Sequence, residues 1–213
     1  LIIFDVGGNI GEYTDKILQL NKKAKITIFE PSKKNSKILS SKYKKKDNVN
    51  VEAFGLNNKN GHFRLYYDKP GSPLASLTKR SFLNSPIKVK GYDKVKFLKL
   101  ENYIKSKKIS KINILKIDVE GHELNCLIGA GNYINKIDLI QFEFGGCNID
   151  TKTFFKDFWT FFERNNFSIY RITPFYLIKL DEYSEDYENF LTTNYIAVNK
   201  KYLVSKSKIN RKN

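Results

Sequence analysis

The sequence predicts an α/β fold: a doubly wound, mostly parallel seven-stranded sheet with helices on both faces and a small strand/loop insertion after the third strand. Three observations carry that expectation. Leu1, Ile2, Ile3 and Phe4 run without polar alternation, which suits a strand covered on both faces in the middle of a parallel sheet. Strand-like and helix-like segments alternate along the chain. A glycine-rich turn follows the first strand, where sheets of this kind bring backbone close to a ligand. The 213 residues, 41% hydrophobic and 14% aromatic, can bury one sizeable core and suit a single domain. Its expected extent is 1–199, followed by a frayed, basic polar tail at 200–213.

In chain order, Leu1 to Thr14 (LIIFDVGGNIGEYT) reads as strand, tight loop and helix start. Lys25 to Phe29 (KITIF) is the second strand and ends in Glu30-Pro31. Ser32 to Tyr43 is helix-like, with Ser32 a candidate cap. Val49 to Leu56 is the third strand, and its end at Gly55-Leu56 reaches the same sheet edge as the glycine loop. The insertion follows. Gly61 to Tyr67 alternates as a short extra strand would, and Lys69 to Ser76 carries turn residues unsuited to a regular element. Ile87 to Lys90 reads as another edge strand, and Leu98 to Lys105 as a helix. Ile112 to Val119 is the fourth main strand and Leu139 to Phe144 the fifth. Phe154 to Asn165 is an aromatic helix with Phe155, Phe158, Trp159 and Phe162 on one face, a spacing that reads as core packing. Phe167 to Thr173 and Tyr195 to Asn199 close the sheet, the last strand antiparallel. Between them Asp181 to Asn189 is an acidic, tyrosine-bearing loop or short helix.

The glycine loop and Glu30 together fit a nucleotide-like ligand, because an acid about two dozen residues after the loop is placed to bind a ribose. A dinucleotide is disfavoured: GxGxxG starting at Gly7 would need glycine where Asn9 and Glu12 stand. An adenosyl ligand without phosphates, S-adenosylmethionine, is the expectation. At the outlet of the fourth strand, four ionisable side chains, Asp118, Glu120, His122 and Glu123, crowd together, which is costly unless they bind a cation, share a proton or face a ligand. Strand alternation would put Asp118 and Glu120 on one side. Glu143 adds a carboxylate near the same edge.

The segments FDVGGNIGEYT, FEP, ILKIDVEGHE and IQFEFG resemble the FkbM-type family of S-adenosylmethionine-dependent methyltransferases, in order and at comparable separations, from Leu1 to about Asn199. The resemblance implies a class I methyltransferase, Rossmann-like fold. It implies cofactor contacts from Asp5, Gly7, Asn9 and Gly11, and ribose binding by Glu30. Gly55 and Leu56 then fall beside the adenine, and Asp118 beside the reacting end. Ser76-Leu77 resembles the Ser-Leu that family members carry in the insertion. The familiar reaction is methylation of a hydroxyl on a sugar or secondary metabolite, so a glycan or glycoconjugate is the expected acceptor. Such a transfer needs a base at the acceptor oxygen. Asp118 and Glu120 rank first, His122 next, and Glu143 is a substrate or supporting contact. Glu123 suits the helix's first turn. A divalent metal held by Asp118, Glu120 and Glu143 is a minority expectation, since hard oxygens suit Mg²⁺.

Net charge is +16, which raises nucleic acid as an alternative acceptor. Only five of the 38 cationic side chains are Arg, and the Lys runs fall on helices and loops, where charge is ordinarily solvated. A nucleic-acid methyltransferase is therefore not favoured, and a cofactor-binding module without turnover is the non-enzymatic alternative. Cys126 and Cys147, the only cysteines, frame neither a disulfide scaffold nor a zinc site, and a reduced cytoplasmic setting is the default. No apolar run approaches membrane-spanning length. The chain starts inside its first strand without Met, so localisation stays open to a preceding segment.

Overall fold

The structure is a computed structural model that describes residues 1–81 and 86–203. Two parallel repeats open the chain: β1 (Ile2–Val6), α1 (Glu12–Leu20), β2 (Lys25–Phe29), α2 (Lys33–Lys42) and β3 (Val49–Glu52). Ser32 caps α2, its hydroxyl accepting from the Asn35 amide at 3.4 Å, as Ser at an N-cap does. An insertion follows with β4 (Gly55–Leu56), β5 (Gly61–Tyr67) and β6 (Gly91–Leu98). After α3 (Leu100–Ser106) the main sheet resumes with β7 (Ile112–Ile117), α4 (Glu123–Ile128), β8 (Ile137–Phe144), α5 (Cys147–Thr151), α6 (Phe155–Arg164) and β9 (Phe167–Ile172). It finishes with β10 (Leu177–Leu180) and β11 (Thr193–Asn199).

The main sheet runs β10-β9-β11-β8-β7-β1-β2-β3. Pairs among β3, β2, β1, β7 and β8 are parallel, and β11 lies antiparallel to both β8 and β9. The doubly wound plan is thus present, with β1 central. The seven-strand expectation needs one correction: among the described residues the sheet has eight strands, because β10 adds an antiparallel hairpin to β9 at the edge. Thr173 closes that hairpin, its hydroxyl donating to the Tyr176 carbonyl at 2.6 Å. β10 is only four residues long, LIKL, and its apolar Leu177 and Ile178 are exposed while Leu180 is buried, so it is too short to show a strand period.

Three boundaries also move. The third strand stops at Glu52, and Gly55-Leu56 instead pair with Phe97-Leu98 in a separate sheet ordered β4-β6-β5. A Cβ on Gly55 would lie 2.1 Å from the Phe97 ring, so only glycine permits this crossing. Ile87 to Lys90 is not a strand; the partner of β5 is β6, beginning at Gly91. β7 ends at Ile117, leaving Asp118 to His122 in a loop. Of the expected tail, Lys200 to Leu203 forms a helical turn and 204–213 lies outside the described residues.

The core sits on both faces of the sheet. Phe142 and Phe144 of β8 meet Phe155, Phe158 and Phe162 of α6, all fully buried, with the Phe142 and Phe158 rings stacked at 5.0 Å. Each such ring contributes about 1.5–3 kcal/mol by leaving water, which settles the aromatic stripe as packing. Trp159, only partly buried, lies against Tyr183. On the other face Ile3, Ile26 and Ile28 pack with Leu39 and Tyr43 of α2. The insertion has its own small core of Leu65, Val95 and Phe97. Among the described residues no helix is long and apolar enough to cross a membrane.

Candidate active site at the carboxyl edge of the sheet

The loop after β1 is built to bring three strand ends together. Gly7 takes φ +76°, and a Cβ there would stand 1.9 Å from the Asp118 carbonyl oxygen; glycine is required by both conformation and space. Asn9, also left-handed at φ +46°, donates its amide to Glu30 Oε2 at 2.8 Å, while its side-chain oxygen accepts from Asn35 at 2.9 Å. Glu30 Oε1 accepts the Ser32 amide at 2.8 Å. Burial drives the Glu30 carboxyl up to about 7 despite those two amides.

A cleft opens over this edge, about 590 Å³ of empty space with its open mouth included. Gly7, Asn9, Glu30, Gly55, Leu56, Asp118, Glu120 and His122 all line it. Asp5, Gly11 and Glu143 do not. Asp5 lies fully buried beneath the loop, accepting from Thr14 at 2.8 Å. At Gly11 a Cβ would meet the Tyr43 hydroxyl at 2.4 Å, so this glycine lets α1 pack on α2. Sequence reasoning missed Lys116, whose ammonium stands 3.3 Å from Asp5, 3.1 Å from the Gly7 carbonyl and 3.5 Å from Asp118. Burial works against its charge, but Asp5 and Asp118 outweigh that and raise its pKa. The one ionisable residue of the INILKI strand, Lys116, was the available signal.

Beyond β7 the chain turns through two left-handed residues, Glu120 (φ +57°) and Gly121 (φ +96°). Glu123 holds the turn: its Oε1 accepts the Val119 and Gly121 amides at 2.9 and 3.2 Å. It is 1% exposed, and burial pushes it up to about 8; it is a buried brace rather than a solvent-facing charge at a helix start. Strand alternation is not what brings Asp118 and Glu120 to one cleft, since both lie past the strand's end. The insertion closes over the turn: Ser76 donates to the Glu120 carbonyl at 2.8 Å, Thr78 meets His122 Nε2 at 2.9 Å, and Arg80 reaches Glu120 Oε2 at 2.6 Å and Asp150 at 3.2 Å. None of these partnerships was foreseen, although Leu77 lines the cleft beside Ser76, Leu65 and Phe97.

His122 Nδ1 lies 3.0 Å from the Asn125 amide nitrogen, whose oxygen already accepts from Asn58. That network assigns the proton to Nε2, toward Thr78. Burial lowers the His122 pKa to about 4, so the ring is neutral near pH 7. Glu143 is raised to about 7 by burial and by the neighbouring Asp118 and Glu120. The expected divalent-metal trio is not formed: among the described residues no three His, Cys, Asp or Glu side chains are disposed to hold an ion. Asp118 and Glu120 face Lys116 and Arg80 instead.

A hexuronic acid methyltransferase, AglP of Haloferax volcanii, is 24% identical over 143 residues, covering 67% of this chain. The chain spans 55% of that relative's length. Among solved structures, TrmK of M. capricolum with S-adenosylhomocysteine superposes with a TM-score of 0.48 at 16% identity, covering 93% of this chain and 62% of that one. A SAM-dependent O-methyltransferase from Thermotoga maritima gives 0.46 at 12% identity, covering 93% and 58%. The Methyltransferase FkbM domain model matches residues 5–169, from the buried acid of β1 to the heart of β9, and the chain belongs to that family.

Proposed function

We propose that this chain is an S-adenosylmethionine-dependent O-methyltransferase acting on a hydroxyl of a carbohydrate or glycoconjugate, with 1–199 as its catalytic domain. The observation that carries the reading is the buried Glu30 carboxylate facing the same cleft as the glycine loop and Asp118. Each Glu30 oxygen takes one backbone N–H and keeps a lone pair for a ribose hydroxyl. Phe29, Leu56, Leu77 and Phe97 give the cleft apolar walls suited to an adenine. Gly7, Asn9, Glu30, Gly55, Leu56 and Asp118 would hold the cofactor directly, and Asp5 and Gly11 would support the loop from behind. Bound S-adenosylmethionine would supply an electrophilic methyl group on a cationic sulfur. Asp118 and Glu120 would favour that cation electrostatically, and the chain's further work is to orient the acceptor and remove its proton.

The carbohydrate acceptor draws support from the relative named for hexuronic acid methylation. The nucleic-acid alternative gains nothing from the cleft, because no Lys or Arg is among its lining residues. Calorimetric titration with S-adenosylhomocysteine, with NAD as control, tests the cofactor. Binding of the first alone, weakened at least 100-fold in a folded Glu30→Ala variant, is expected. A well-folded wild type that binds neither would overturn the reading. Transfer of labelled methyl to a panel of methyl glycosides, against transfer to RNA, then decides the acceptor class.

A further inference from the structure

Four side chains compete for the role of base at the acceptor oxygen, and three of them carry an ion-pair or hydrogen-bond partner on at least one atom. Asp118 faces the Lys116 ammonium at 3.5 Å. Glu120 receives Arg80 at 2.6 Å and the Cys147 thiol at 2.9 Å on the same oxygen, which hold it in one orientation while burial raises its pKa against their pull. His122 has both ring nitrogens engaged, by Asn125 and Thr78.

Glu143 differs. The β7–β8 register ends at Ile117 opposite Phe142, so Glu143 stands one step further, level with Asp118 at the sheet's carboxyl edge. Across β11 it faces Asn194. Among the described residues its carboxylate makes no hydrogen bond and no ion pair. It is half-buried and lies outside the cleft's lining, past Asp118 along the edge, where an acceptor rather than the cofactor would stand.

We propose that Glu143 is the general base that accepts the proton of the acceptor hydroxyl, an assignment that rests on the methyltransferase reading. The acceptor's O–H bond breaks toward a Glu143 carboxylate oxygen as the acceptor oxygen bonds the methyl carbon of the methylsulfonium donor. The carbon–sulfur bond breaks with its electron pair left on sulfur. Charge balances, since one carboxylate and one sulfonium become a carboxylic acid and a neutral thioether. The charged groups facing Glu143 are Asp118 and Glu120 from the turn after β7, Lys116 of β7 and Arg80 of the insertion. Burial first, then the two carboxylates, raise it to about 7 against the pull of the two cations, the range in which a base is most useful. Arg80 is a positioning residue in this scheme: it holds Glu120 still and opposes the upward push of burial on its carboxyl, so that Glu120 orients while Glu143 takes the proton.

The test compares wild type, Glu143→Gln and Glu120→Gln in three ways. Carbon-13 NMR of glutamate-labelled protein should show a carboxyl titrating near 7 that is absent from Glu143→Gln; a Glu143 titrating at an ordinary 4 to 5 overturns the assignment. With labelled S-adenosylmethionine and methyl glycosides, Glu143→Gln should lower kcat by about 10²–10⁴-fold and remove the rise in kcat through pH 7. Calorimetric affinity for S-adenosylhomocysteine should stay within twofold. Glu120→Gln should retain the rise in kcat, displaced to lower pH because one of the carboxylates that raise Glu143 is gone. Unchanged binding with kcat within threefold of wild type, or with the pH rise intact in Glu143→Gln, overturns Glu143 alone. A wild type that does not bind S-adenosylhomocysteine overturns the functional reading and this assignment with it.

Discussion

At the scale of single residues, Lys116 is the tie that makes the site one unit. It reaches from β7 to the buried acid of β1, to the glycine-loop carbonyl and to the reactive-edge acid. Asp5 is 0% exposed, and a buried charge left without its partner costs about 3–5 kcal/mol. Lys116→Met should therefore lower unfolding free energy in urea by about that amount. The Asp5→Asn/Lys116→Met double variant should recover part of the loss, because it removes the uncompensated anion along with its cation. A single variant within 1 kcal/mol of wild type would mean that water, not Lys116, answers Asp5. The motif letters alone could not foretell this arrangement. In DVGGNIG the residues that reach the cleft are Val6, Gly7 and Asn9, while Asp5 and Gly11 face inward; a linear pattern records which residues are needed but not the direction each one serves.

At the scale of elements, the insertion is a strap fastened to the turn after β7. Ser76, Thr78 and Arg80 alternate along the strap and bind Glu120, His122 and the Glu120–Asp150 pair in turn. Beneath them β5 and β6 pair antiparallel through Leu65, Val95 and Phe97. Among the described residues Arg80 carries the strap's charged link to the turn, with both partners largely shielded from water. Arg80→Ala should speed amide exchange across 74–80 by at least tenfold and weaken S-adenosylhomocysteine binding, while the main sheet's slowest amides keep their protection. Unchanged exchange in the strap would show that Ser76 and Thr78 suffice. The interruption of the fold was legible from turn residues, and β5 from its alternation. β6 was not, because only Val95 and Phe97 of its eight residues are buried, Asp93 interrupts their face, and Tyr92, Lys94 and Lys96 stand exposed on the other. β10 escaped for a different reason: its four residues, LIKL, are too few to show a strand period. The strap's partners lie about 40 residues away in sequence, beyond the reach of any local pattern.

At the scale of the whole molecule, the charge of +16 is carried by a lysine-rich exterior, whereas the candidate site gathers buried acids. Glu30 and Glu143 are raised to about 7 and Glu123 to about 8, each chiefly by burial. Unfolded, these carboxyls titrate near 4.3. Between those values the folded chain holds protons that the unfolded chain releases, so their stabilisation is fully present at low pH and lost as pH rises through 7 to 8. His122 works in the opposite sense. Buried and held down to about 4, it contributes stability above its unfolded value of about 6.5 that fades as pH falls toward 4. Three carboxyls outnumber one imidazole, so stability should rise as pH is lowered from 8 to about 5.5. Further acidification should reverse the trend, as exposed carboxylates protonate and an already cationic surface repels itself more strongly. The check is Tm at constant ionic strength across pH 4 to 8.5. Glu123→Gln should flatten the slope between 5.5 and 8, because its side-chain oxygen can still accept the Val119 and Gly121 amides without a proton to lose. A Tm that climbs steadily toward pH 8 would mean that these acids stay ionised in the folded chain, held by the backbone amides that Glu30 and Glu123 accept.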